Sequence, residues 1–116
     1  MKEIKAIIRP AKLDRLRKAL RATPGFPGMS VSRVEGCGAH SSTPAGSIRD
    51  ELTDFSAKLR IEIVAPDEIA DALVDCIVNI ACTGQTGDGL VWSTEVHRAV
   101  FINKTVAGSK DDALDW

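Results

Sequence analysis

The stretch Thr83–Leu90, TGQTGDGL, carries three glycines and one aspartate between a long amphipathic run and an apolar, β-prone run. Glycine backbones accept turn conformations that side chains resist, so such a loop can aim several N–H groups at one anion, which is the chemistry of phosphate binding. No lysine or arginine follows it within the strand-like run, which leaves main-chain amides as the only donors visible. The loop also follows a helix C-terminus, the negative end of the dipole, so the helix cannot replace the missing cation. An ordinary glycine-rich turn between helix and strand would use the same residues.

A second constellation is Cys37 and His40, spaced C-x-x-H. Thiolate and imidazole ligate Zn²⁺ or Cu⁺, but two ligands do not close a site. A metal would need further copies of the chain or His97, and a packed cysteine beside a solvent-facing histidine is the plain alternative. The three cysteines, Cys37, Cys76 and Cys82, are odd in number and lack C-x-x-C spacing, which points to reduced thiols. Cys76 falls on an apolar helical stripe as a small core hydrophobe, whereas Cys82 lies near the loop and, without a cation, should be unreactive. Lys58, Arg60 and Glu62 alternate along one strand face, as a ligand or subunit-contact row or as a solvated charge row. His40 and His97 are the only histidines, no G-x-S-x-G or H-E-x-x-H occurs, and Glu51 with Asp54 is a weak acid pair on a loop. No enzyme is expected.

These residues must be positioned by a chain of 116 residues, the size of a single domain, 1–116. With 15 Lys and Arg against 16 Asp and Glu, net charge −1, general binding to nucleic acid or anionic membranes has no electrostatic basis. The opening MKEIKAIIRP lacks the apolar core of a signal peptide and no run is long enough to span a bilayer, so a cytoplasmic protein is expected. Periodicity predicts strands over 3–8, 29–34, 58–64, 90–95 and, briefly, 98–102, with helices over 12–22 and 67–83, the second capped by Gly84. Residues 39–56 form a long loop of the kind that binds something, and 104–116 a polar tail. The order βαββαβ with a short extra C-terminal strand predicts an α+β, ferredoxin-like sandwich, an antiparallel sheet with two helices on one face. The other face is left for solvent or a subunit partner.

Over almost the whole chain, MKEIKAIIRPAKLDRLRKAL, KLRIEIVAPDEI and above all TGQTGDGLVW resemble the PII signal-transduction family. The resemblance implies a homotrimer that binds adenine nucleotides in clefts between subunits. Residues 39–56 would be the family's T-loop, which docks on transporters, enzymes or regulators; nucleic acid is not a partner. Carried over, Gly87, Asp88 and Gly89 would wrap the phosphates, with Leu90 beside them. Gly36, Cys37 and Gly38 would form the loop base, Ile7 and Ser30 the adenine side, Glu62 and Val64 the matching strand, and Lys58 a lysine near the 2-oxoglutarate site.

Departures from the family pattern are as informative. Typical members place basic residues where this chain has Leu90, Phe101, Asn103 and Ala39, and a metal-holding glutamine where it has His40. A charge-assisted hydrogen bond contributes roughly 1.5–3 kcal/mol, so losing two would weaken triphosphate binding by about two to four orders of magnitude. ADP or AMP is therefore expected over ATP. The family's modified tyrosine matches Glu51 in a chain with no tyrosine at all, which excludes uridylylation, and the serine phosphorylated in some relatives matches Arg49. The pattern is similar to divergent PII-like proteins associated with heavy-metal efflux or other transport systems, so a membrane transporter is the expected partner. The alternatives are a sensor of metal, at Cys37 and His40, or of another small ligand, which keeps the trimer but has lost nucleotide binding, and a module that docks constitutively.

Overall fold

A computed structural model describes residues 1–39 and 55–103. Its elements run β1 (Lys2–Ile8), a 3-10 turn (Pro10–Lys12), α1 (Leu13–Arg21), β2 (Ser30–Gly36), β3 (Ser56–Ala65), α2 (Asp67–Ala81) and β4 (Leu90–Glu95). The expected residues 40–54 and 104–116, with His40, Arg49, Glu51 and Asp54, lie outside the described residues.

Pro10 ends β1 because its ring removes an N–H that the ladder needs, and it opens the 3-10 turn that leads into α1. Asp14 sits in the first turn of α1 and Lys18 and Arg21 in the last, each at the dipole end that favours its charge. Asp67 and Glu68 begin α2 in the same way. That helix stops at Ala81, earlier than expected, because Cys82 is extended (φ −72°, ψ 129°) while its N–H still reaches Val78 O at 3.0 Å. Gly84, expected to cap the helix, lies farther on, at φ +80° within the loop.

The four strands form one antiparallel sheet in the order β2-β3-β1-β4. The period-2 pattern of β3 sends Leu59, Ile61, Ile63 and Ala65 inward, where they join Ile4, Ala6 and Ile8 of β1, Leu16 and Leu20 of α1, and Leu73 and Ile77 of α2. Every buried residue of this core is apolar. The arrangement is the ferredoxin-like α+β fold. The strand expected over 98–102 is reduced to an isolated bridge at Val100, and Ile102 is fully exposed instead of packing on the sheet.

The face away from the helices carries cross-strand rows. One runs Ser32, Arg60, Ile7, Leu90 and the next Ser30, Glu62, Lys5, Trp92. Trp92 is 37% exposed there. Arg60 pairs with Glu62 at 3.1 Å and Lys5 with Glu3 at 3.4 Å, so the predicted charge row is satisfied mainly along each strand.

Candidate functional site

The glycine loop, 82–89, joins the C-terminus of α2 to β4 and lies where β1 ends. β1 and β4 are antiparallel neighbours, so residues just after β1 and just before β4 must meet at the same end of the sheet. Contact there is tight. A Cβ on Gly89 would stand 1.8 Å from Ile7 O, and the residue sits at φ +99°, so no side chain fits.

Two cations converge on the loop, and the expectation of main-chain amides alone is corrected. Arg9 donates from Nε to Asp88 Oδ1 at 3.2 Å and from Nη2 to Thr86 O at 2.9 Å. Lys58 Nζ donates to Gly87 O, while its stem passes within 3.3 Å of a Cβ placed on Gly36. Lys58 thus spans from the base of the long loop to the glycine loop. Arg9 was legible only through the pairing of β1 with β4, because it lies more than seventy residues from the motif it serves.

The Asp88 carboxylate turns into its own loop. Its Oδ2 accepts the N–H groups of Thr83 at 2.8 Å and Gly84 at 3.0 Å, and Oδ1 accepts the Thr83 hydroxyl as well as Arg9. The Thr83 hydroxyl and N–H, then Arg9 and the Gly84 N–H, hold its carboxyl well below the usual carboxylate range against a partial desolvation. At any physiological pH it is an anion.

Beside the loop opens an apolar cleft of about 210 Å³, lined by Ile7, Ile77, Val78, Cys82, Gly89 and Leu90 among others. Leu90, where a basic residue is typical of the family resembled, is 60% exposed at its mouth. Cys82 is exposed, and Cys76 is half-buried against the core, where desolvation pushes its thiol pKa up.

The family profile described as "Nitrogen regulatory protein P-II" matches residues 1–105. The chain is 43% identical over 116 residues to nitrogen regulatory protein P-II 1 of Escherichia coli (strain K12), covering 97% of this chain and 98% of that protein. It is 42% identical to nitrogen regulatory protein P-II of Klebsiella oxytoca with the same coverage, and 37% identical over 105 residues to that of Haemophilus influenzae, covering 88% and 91% of the two chains. The chain belongs to the P-II family.

P-II proteins are regulatory signal transducers, not enzymes, and this chain is a nitrogen regulatory signal protein of that kind. They bind adenine nucleotides and act as trimers on regulated partner proteins. Of the residues that the P-II resemblance assigned to a nucleotide, the fold gathers Ile7, Gly36, Lys58, Gly87, Asp88, Gly89 and Leu90 at one end of the sheet. Cys37 and Gly38 follow β2 at that end, Cys37 exposed and Gly38 in open space. Ser30, Glu62 and Val64 are not brought to the loop within one chain. They lie one and two rows farther along the open face, Ser30 opposite Glu62 and Val64 opposite Glu3.

For the metal expectation, Cys37 is described and His40 is not. No group of three Cys, His, Asp or Glu that could hold a metal ion occurs among the described residues. No helix among them is long and apolar enough to cross a membrane.

Proposed function

We propose that this P-II protein is a homotrimeric sensor whose cleft beside the glycine loop, closed by a neighbouring subunit, takes an adenine nucleotide, ADP or AMP in preference to ATP. Occupancy biases residues 39–56, which bind or release a partner, a membrane transporter being the favoured class. The observation that carries this reading is the pinned loop: Gly89 against Ile7 O, with Arg9 and Lys58 at its edge and the apolar cleft alongside. The cleft suits a purine face, and the loop suits a phosphate.

The charge count favours a ligand of low charge. Arg9 is neutralised by Asp88, so Lys58 is the remaining cation that touches the loop among the described residues. A triphosphate would leave most of its charge uncompensated. Ser30, Glu62 and Val64, distant from the loop within one chain, fit a role on the side presented to another subunit. Signalling further requires that the nucleotide prefer one state of residues 39–56 over another, since equal affinity shifts nothing.

Titration calorimetry with AMP, ADP and ATP tests the reading. Binding in the order ADP or AMP above ATP is expected, and absence of heat with all three removes the nucleotide. The alternative of a metal sensor rests on Cys37 alone among the described residues.

A further inference from the structure

The glycine loop holds an aspartate where a phosphate site should avoid one. A carboxylate beside a phosphate repels it, and the repulsion grows as water is excluded. Asp88 escapes this conflict by pointing into its own loop. Its two oxygens accept four hydrogen bonds, from the N–H groups of Thr83 and Gly84, the Thr83 hydroxyl and Arg9 Nε. The amides of Thr83 and Gly84 are therefore already satisfied and are not offered to a ligand.

Arg9 makes the arrangement bidentate. Its Nε binds the carboxylate while Nη2 binds Thr86 O, so one rigid fork clamps two points of the loop to the residue that follows β1. The clamp holds the loop where Gly89 can lie against Ile7 O, and a Cβ at Gly87 would meet Arg9 Nη2 at 3.2 Å. Partners, charge and steric fit agree on a preformed support.

We infer that Asp88 and Arg9 are positioning residues, with the Asp88 carboxylate acting as an internal anion that organises the loop, so that ligand phosphate contacts fall to the later amides, at Gly87 and Gly89. The part concerning phosphate rests on the nucleotide reading above; the part concerning loop order does not.

The two roles open to Asp88 predict opposite results for Asp88→Asn. If the carboxylate merely stood near the phosphate, removing its charge would strengthen ADP binding relative to adenosine. As a positioning residue, its loss weakens adenosine, AMP and ADP together, by roughly ten-fold or more, the scale of a lost charge-assisted hydrogen bond. Hydrogen exchange measured by NMR without nucleotide supplies a second readout. Amides of Thr83 and Gly84 should lose protection in Asp88→Asn and in Arg9→Gln, while those of Ile61 and Ile63 in β3 keep theirs. Arg9→Lys, which retains charge but not the fork, should fall between, and Arg9→Gln combined with Asp88→Asn should cost less than the sum of the two single losses, because both remove the same Arg9–Asp88 bond.

Unchanged exchange at Thr83 and Gly84 in Asp88→Asn, or tighter ADP binding by that variant, overturns the inference. An Arg9→Gln variant that loses ADP but keeps adenosine would make Arg9 a direct phosphate contact and overturn its assignment. If the unsubstituted protein takes no adenine nucleotide, the proposed function fails, and the exchange measurements still decide whether the pair positions the loop.

Discussion

At the scale of single residues, the glycines of the loop are not equivalent. Gly89 has no room, with Ile7 O at 1.8 Å from an added Cβ, whereas Gly84 has nothing within 4 Å although its φ is +80°. Gly89→Ala should therefore displace the loop from the end of β1 and abolish nucleotide binding in calorimetry. Gly84→Ala should cost about 1 kcal/mol of backbone strain in urea unfolding and leave affinity nearly unchanged. Equal effects at the two positions would contradict the close approach. The glycine pattern itself was legible from the sequence, because φ above zero is a local property of the backbone. Arg9 was not, because nothing local distinguishes an arginine before a proline from any other surface cation.

At the scale of elements, period decided most of the outcome. The alternation Leu59, Ile61, Ile63 marks β3, and Ile69, Leu73, Cys76, Ile77 and Ile80 mark the apolar stripe of α2; the three β3 residues, Leu73 and Ile77 are in the core, while Ile69, Cys76 and Ile80 are partly buried against it. Leu73→Ala, at a fully buried position, should destabilise the protein by about 2–5 kcal/mol in denaturant unfolding. Val78→Ala, on the same helix and 48% exposed, should cost about 0.5 kcal/mol or less. Comparable losses would place the helix face wrongly. Periodicity failed at 98–102, where Val100 and Ile102 look strand-like yet remain exposed. A strand requires a ladder partner, and that is not encoded in its own residues. The early end of α2 is a similar case, since Gly84 has the right residue type for a cap but Cys82 has already left the helical backbone.

At the scale of the whole molecule, near-neutrality conceals segregation. Lys12, Arg15, Arg17, Lys18 and Arg21 lie on or just before α1, while Asp67, Glu68, Asp71 and Asp75 lie on α2. The two helices pack side by side, so a predominantly basic helix and an acidic one adjoin within the helical layer. The opposite face of the sheet has no such cover among the described residues. Leu90 at 60% and Trp92 at 37% exposure stand there among charged residues, a surface suited to a subunit contact. Light scattering should give a mass three times that of the chain. Trp92→Glu should shift it toward the single chain and, because the proposed cleft is shared, remove nucleotide binding as well. A stable single chain of the unsubstituted protein would sink the trimer and with it the proposed switch.

The linear chain by itself determined the alternation of buried and exposed positions, the order of strands and helices, the glycines that permit the loop, and the family to which all of these belong. Each of these follows from interactions within a few residues or from a pattern repeated along one element. Only the tertiary structure decided what fills the loop. Antiparallel pairing of β1 with β4 delivers Arg9, the register of β3 delivers Lys58, and Asp88 turns inward because four donors surround it there. Electrostatic partners are set by distance in space, and the separation of Arg9 from Asp88 along the chain gives no hint of it.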